Sequence, residues 1–190
     1  MAITSNNPFD YAMKAYTGGA LVVAFDLETT GLDPVRDRIV EIGAVKFDRK
    51  GFVARFSTLV NPGIPMPTEA GRVNNITDEM LAGKPGIGEV MPDFLCFIRD
   101  TVLAAHNAPF DCGFINEKLK TARLPFPSLP NPIADTLVFS RDRFPGLKSY
   151  SLQNLARELR IPARDAHRAE DDARLCMELF IRCMESGRKV

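Results

Sequence analysis

An excess of charge of either sign is missing from this sequence, because 24 lysines and arginines balance 24 aspartates and glutamates. A protein that holds nucleic acid by bulk electrostatics needs a basic surface, since its affinity grows with the number of phosphates it neutralises. That class of binding protein is therefore disfavoured. An enzyme that binds a strand end weakly and leaves charge neutralisation to metal ions stays compatible with this composition.

Long apolar runs and paired cysteines are also missing. No stretch approaches the ~20 apolar residues of a membrane-spanning helix, and the amino-terminal residues lack the basic-then-apolar order of a signal peptide. The four cysteines form no C-x-x-C pair, which is typical of reduced, structural thiols. These features predict a cytoplasmic chain with no membrane partner.

The size and composition are typical of a single globular domain. The chain has 190 residues, of which 45% are hydrophobic and 25% charged, and a chain of this length buries about 70% of its unfolded surface. No linker is evident, so we expect one domain over residues 20–190. Residues 1–19 include the polar stretch Thr4 to Asn7 and end in Gly18-Gly19, which predicts a loosely ordered amino-terminal arm.

The apolar pattern predicts an α/β domain. Three segments bounded by turn residues predict an antiparallel meander: residues 21–25, 39–47 and 52–60. Four later segments repeat their apolar residues at helical spacing: 89–100, 109–121, 151–160 and 168–186. Short buried strands are expected at 101–105 and 133–134. This order predicts a mixed five-stranded sheet flanked by helices.

Two carboxylates end the first of these strands. Leu21 to Phe25 is a continuous apolar run, which predicts a central strand covered on both faces. Asp26 and Glu28 follow, and because side chains alternate along a strand, both project to the same side. At an effective dielectric of about 20 they repel each other by roughly several kcal/mol, so either one is protonated or a cation lies between them. A solvated polar turn would also explain so short a motif.

Asp111 is the first of two later acids that we expect to point inward. It lies in the first turn of a predicted helix, where it would complement the helix dipole without any further role. Its helical neighbours Phe114 and Ile115 indicate, however, that this face is buried.

The last predicted helix contains two adjacent acids with different surroundings. Asp171 shares a helical stripe with Glu178 and Arg182, which predicts a solvent-facing position. Asp172 falls instead on the stripe of Cys176 and Leu179, which predicts a buried one. Because a buried carboxylate needs a metal, an arginine or a proton, Asp172 is the candidate for chemistry.

The four acids form a set with a neighbouring histidine, His167, which precedes Asp172 by five residues. Carboxylate oxygens are the ligands that Mg²⁺ and Mn²⁺ prefer. Two such ions about 3.5–4 Å apart can hold a scissile phosphate between the attacking water and the leaving oxygen. A histidine with an ordinary pKa near ~6.5 can accept the proton of that water at neutral pH.

Three segments resemble the DnaQ-like, DEDDh-type 3′–5′ exonucleases, the family that includes the DNA polymerase III ε-subunit exonuclease domain. The segments are F-D-L-E-T-T-G, H-N-A-P-F-D and H-R-A-E-D-D-A, in the family's order and spacing. The likeness covers about Leu21 to Met184 and implies a ribonuclease H-like sheet with its active site above the central strands. It implies release of 5′-mononucleotides from the 3′ end of single-stranded DNA, either with a DNA polymerase subunit or alone.

The resemblance also implies the roles of the site residues. Asp26, Glu28 and Asp172 would bind two Mg²⁺ or Mn²⁺ ions directly. Asp111 would bind directly or through water, and His167 would act as the general base. The family's ligand lies five residues after the histidine, which selects Asp172 rather than its neighbour.

Substrate contacts are implied as well. Glu28 should lie near the terminal 3′-hydroxyl, and Glu69 and Asn74 fall where the family places substrate-contacting residues. The family has a histidine at the position that Asn74 occupies here. His106, in the second segment, is expected to be a structural hydrogen-bonding residue.

Two other activities fit parts of the sequence. An RNase T-like 3′–5′ exoribonuclease would use the same residues, and nothing in the sequence separates deoxyribose from ribose. A haloacid-dehalogenase-type phosphatase would use Asp26 as its nucleophile, but it leaves His167 and Asp172 unexplained. A binding module without chemistry is disfavoured, because all five active-site residue types are present.

Overall fold

The computed structural model describes residues 8–122, 127–163 and 168–186. Its strands are β1 (Val22–Thr29), β2 (Ile39–Asp48), β3 (Gly51–Leu59), β4 (Val102–Ala105) and β5 (Ile133–Asp135). Its helices are α1 (Pro8–Thr17), α2 (Thr68–Asn74), α3 (Asp78–Leu81), α4 (Ile87–Ile98), α5 (Ala108–Thr121), α6 (Thr136–Arg143), α7 (Leu152–Glu158) and α8 (Ala169–Glu185).

The five strands form one mixed sheet in the order β3-β2-β1-β4-β5. β1 pairs antiparallel with β2 and parallel with β4. β3 extends the antiparallel side and β5 the parallel side. This arrangement confirms the predicted fold class and places β1 at the centre, where its apolar residues are buried on both faces.

Helices cover the two faces of the sheet, and the alternation along β1 divides its side chains between them. Val22 and Ala24 face a core formed with α8, α6, α7 and α1. Val23 and Phe25 face the second core, formed with α4 and α5. The same alternation puts Asp26 and Glu28 on the α8 side. Within the described ranges, no helix is long and apolar enough to cross a membrane.

The structure differs from the expected loose arm at the amino terminus, because Pro8–Thr17 forms a helix. Phe9, Ala12 and Tyr16 recur on one helical face and are buried. The rings of Tyr16 and Phe180 meet edge to face, with their centroids 5.4 Å apart. This apolar stripe, at positions i, i+3 and i+7, was a usable signal for a helix in the sequence. Residues 1–7 lie outside the described ranges.

Candidate active site

Three carboxylates meet at the carboxyl end of β1. Asp26 and Glu28 project from the strand and Asp172 from the first turn of α8, and one ligand oxygen from each lies within 4.8 Å of the other two. Asp172 is buried, with 7% of its surface exposed. Oxygen ligands of one Mg²⁺ ion lie at most about 4 Å apart, which is twice the ~2.1 Å bond length. A small adjustment would therefore let these three side chains share a divalent cation.

Asp111 lies beside this group. It is 2% exposed, and its Oδ1 accepts a hydrogen bond from the backbone N–H of Leu27 at 3.1 Å. Leu27 separates Asp26 from Glu28 along the strand, so the bond attaches the first turn of α5 between the two acids of β1. All four acids singled out from the sequence therefore lie near the carboxyl end of the central strand β1.

These carboxylates disfavour one another's charge. Burial raises the pKa of Asp26 well above its usual value, and Asp111, Asp172 and Glu28 raise it further. Burial, with Asp172 next in effect, raises the pKa of Glu28 to about 8. Burial also raises the pKa of Asp111 to about 8. A bound divalent cation would offset both the desolvation and the repulsion, so the donor set fits a hard, oxygen-liganded metal.

Gly43 of β2 lets α8 approach the site closely. It pairs with Asp26 across the sheet, and a Cβ atom added to it would lie 2.1 Å from the carbonyl carbon of Ala169. Ala169 begins α8. The missing side chain therefore allows the first turn of α8, with Asp172, to lie directly on the sheet.

Glu41, also on β2, fixes the start of α8. It is 2% exposed and accepts hydrogen bonds from Nε and Nη2 of Arg168, at 3.1 and 2.7 Å, and from the backbone N–H of Ala169 at 3.1 Å. Glu41 pairs with Glu28 across the two strands. Glu41 was not among the predicted site residues, although an acid inside the apolar segment I-V-E-I was a usable signal.

Gln153 of α7 contacts Asp172. Its Nε2 donates a hydrogen bond to Asp172 Oδ1 at 2.6 Å. A neutral amide orients a carboxylate without neutralising it. The apolar pattern of α7 identified the core face of the helix but gave no reason to select this residue.

The predicted solvent-facing position of Asp171 is wrong. Asp171 is 8% exposed, and its Oδ1 accepts a hydrogen bond from Nε of Arg174 at 2.8 Å. Arg174, one turn later, supplies an ion pair of the kind that a buried carboxylate needs. The two adjacent acids therefore differ in their partners, because Asp171 pairs with an arginine while Asp172 joins the carboxylate group.

The two predicted substrate contacts lie on α2. Glu69 is exposed in the first turn of this helix. Asn74 is buried, its Nδ2 donating to the carbonyl of Thr29 at 3.4 Å and its Oδ1 accepting from the N–H of Ile76 at 3.1 Å. This placement suits a residue that joins α2 to the end of β1 better than one that contacts substrate.

His106 has the structural role expected for it. Its Nε2 lies 2.8 Å from the carbonyl oxygen of Tyr150, and its Nδ1 lies 3.0 Å from Thr136 Oγ1. A carbonyl oxygen only accepts, so Nε2 carries the proton. Burial lowers the pKa of His106, which favours the neutral ring. His167, the predicted general base, lies outside the described residues, and its role stays a prediction.

Known proteins similar to this chain are exonucleases and polymerase subunits. The exonuclease family model RNase_T matches residues 23–180. The DNA polymerase III subunit epsilon of Treponema pallidum is 51% identical over 83% of this chain and 73% of its own length. That of Aquifex aeolicus is 38% identical over 86% of this chain and 80% of its own length. A PolC-type DNA polymerase III from Caldanaerobacter subterraneus is 41% identical, but the match covers 12% of that protein.

Solved structures agree with these matches. A structure of Exonuclease X in complex with 5′ overhanging duplex DNA superposes with a TM-score of 0.70 at 29% identity, covering 87% of this chain and 92% of that one. The nuclease domain of 3′hExo, a DEDDh family member bound to rAMP, has a TM-score of 0.77 at 15% identity, covering 90% and 95%. The second match shows the fold alone. Together they confirm the predicted ribonuclease H-like fold.

Proposed function

Because the chain belongs to the exonuclease family and is a 3′–5′ exonuclease, we propose that it hydrolyses the terminal phosphodiester bond of single-stranded DNA and releases 5′-mononucleotides. The observation that carries this proposal is the meeting of Asp26, Glu28 and Asp172 at the end of β1. The similarity to DNA polymerase III epsilon subunits favours DNA as the substrate.

The family implies divalent metal ions, and we propose two, Mg²⁺ or Mn²⁺. Asp26, Glu28 and Asp172 would hold them, with Asp111 binding directly or through water. When bound, such ions polarise a scissile phosphate and lower the pKa of a water molecule. The four carboxyl groups and their raised pKa values support this assignment.

The chain's own residues position the reacting groups. Gln153 orients Asp172, and Glu41 binds Arg168, the residue that follows His167. We propose that His167 accepts the proton of the attacking water and that Glu28 lies near the terminal 3′-hydroxyl. Glu69 is exposed in the first turn of α2 and is the proposed substrate contact there.

The setting of the reaction is proposed from the relatives. Their names are those of DNA polymerase III subunits, which favours a polymerase subunit as a partner and a cytoplasmic location. An exoribonuclease would share the same carboxylates. The ratio of kcat/KM on matched DNA and RNA oligonucleotides decides between the two, and a strong preference for RNA would overturn the choice of DNA.

Digestion of end-labelled single strands tests the proposed reaction. We expect a 5′-labelled DNA strand to shorten stepwise and a 3′-labelled strand to lose its label in the first turnover, with Mg²⁺ or Mn²⁺ and not with a chelator. Release of internal fragments, or activity in the chelator, would contradict the proposal.

Asp172→Asn and Asp171→Asn form a matched pair for the same assay. We expect Asp172→Asn to lower kcat by about 100-fold or more, since misplacing reactants by about 1 Å already costs that much. Asp171→Asn loses its ion pair with Arg174 and should lower the melting temperature, while kcat stays within a few-fold of wild type. Equal losses of kcat would refute the choice of Asp172.

A further inference from the structure

Arg38 and Lys118 converge on one backbone oxygen beside the site. Arg38 Nη1 donates to the carbonyl of Asp37 at 3.2 Å, and Lys118 Nζ donates to the same oxygen at 3.5 Å. Neither side chain has a salt bridge with a residue in the described part of the chain. Burial, and next the charge of Arg38, lower the pKa of Lys118. Two like charges are thus held together by one neutral acceptor.

The turn between β1 and β2 holds Arg38 in place. Its Nη1 also donates to the carbonyl of Arg36 at 2.9 Å, and its backbone N–H donates to Thr30 Oγ1 at 2.9 Å. The carboxylate of Asp37 is engaged elsewhere, by the N–H of Asp33 at 2.8 Å and the hydroxyl of Thr30 at 3.3 Å. The guanidinium is therefore preorganised, while its charge lacks a carboxylate partner within these contacts.

The backbone brings Arg38 close to the site, because its carbonyl oxygen accepts a hydrogen bond from the N–H of Thr30, two residues after Glu28, at 2.8 Å. Residues 30–38 follow directly from β1, and Lys118 lies seven residues after Asp111 in α5, which is about 10 Å along the helix. A strand of duplex DNA carries one phosphate per ~3.4 Å of axis and a single strand is more extended, so no more than about three nucleotides cover this distance.

We propose that Arg38 and Lys118 bind a backbone phosphate of the substrate strand, a few nucleotides to the 5′ side of the bond that is cut. Glu117 acts on Lys118 electrostatically but forms its salt bridge with Lys120, so a phosphate would give both cations charge-assisted hydrogen bonds to an anion. Because the chain has no net charge, its affinity for a polyanion depends on local sites of this kind. The inference rests on the proposed nuclease function.

Two substrates of different length test the proposal. Thymidine 5′-(p-nitrophenyl phosphate) has a single phosphodiester, whereas a single-stranded DNA of roughly 20 nucleotides also has upstream phosphates. We expect Arg38→Gln and Lys118→Gln each to raise KM on the long strand by about 5-fold, and to reduce the slope of log(kcat/KM) against log[salt] by about 1. On the small substrate both variants should match wild type. Lys120→Gln is the control, because Lys120 is exposed and pairs with Glu117.

The outcomes separate the inference from the function on which it rests. An unchanged KM and salt slope on the long strand would overturn the phosphate site. Equal losses on both substrates would also overturn it, since they would indicate a displaced active site. If the wild-type protein hydrolysed neither substrate, the proposed function itself would fail.

Discussion

The adjacent carboxylates of α8, Asp171 and Asp172, accept hydrogen bonds from side chains of different charge. Arg174 donates to Asp171 from one turn along the same helix, and its charge stabilises that carboxylate. Gln153 reaches Asp172 from another helix and brings no charge. The amide contact fixes the oxygen of Asp172 and does not itself offset the negative charge that attracts a metal.

Gln153→Ala should therefore weaken metal binding more than it weakens the fold. Outer contacts to metal ligands typically contribute 10- to 100-fold in affinity, so we expect the Mn²⁺ dissociation constant, measured by calorimetry, to rise by about 10-fold. Activity should recover largely at saturating Mn²⁺. Glu158→Gln, at the exposed end of the same helix, should change neither the Mn²⁺ dissociation constant nor the activity. Unaltered Mn²⁺ affinity in Gln153→Ala would contradict the assigned role.

At the scale of secondary-structure elements, one face of β2 determines where α8 begins. Glu41 binds the backbone and side chain at the start of the helix, and Gly43 leaves room for its first turn. α8 packs against both β1 and β2, so any shift of the helix moves Asp172 relative to Asp26.

Gly43→Ala tests this placement. The added Cβ would meet backbone rather than a movable side chain, so α8 must shift. We expect a loss of about 1–3 kcal/mol in the free energy of unfolding and about 100-fold in kcat, because Asp172 moves with the helix. Thermal unfolding and steady-state digestion measure the two effects.

Gly88→Ala is the matched control for that variant. Gly88 lies in α4, and a Cβ atom added there meets nothing within 4 Å. Alanine favours a helix over glycine by up to about 1 kcal/mol, so this variant should be as stable as wild type or more so, with normal kcat. Normal activity and stability in Gly43→Ala would contradict the role of Gly43.

For the molecule as a whole, the sequence predicted strands, helices and helix faces that depend on residues close to one another in the chain. The apolar run before Asp26 and the helical stripe of Asp172 depend on neighbours in the chain, and both predictions hold. Glu41 and Gln153 were missed because their partners lie 127 and 19 residues away. The burial of Asp171 was missed because its helical stripe contains Glu178 and Arg182 and does not show its ion pair with Arg174.

The clustered carboxyls also make the stability of the whole protein depend on pH and metal. Glu28 and Asp111 have pKa values of about 8 in the folded protein, against ordinary values of 4.5 and 3.8. Between these limits the unfolded chain releases protons that the folded protein retains, so the free energy of unfolding falls as pH rises.

We therefore expect the contribution of Glu28 and Asp111 to the stability of the chelator-treated protein to be largest near or below about pH 4.5. The melting temperature should fall by several degrees between about pH 5 and 8. Added Mg²⁺ or Mn²⁺ should raise the melting temperature more at pH 8 than at pH 5.5, because metals bind the ionised carboxylates.

Asp26→Asn removes one charge of the group and should flatten the pH dependence without metal. Thermal unfolding followed by circular dichroism measures these changes. A melting temperature that rose from pH 5 to 8 in the chelator would mean that the carboxyls are already neutralised by other groups, and the assigned metal site would then be wrong.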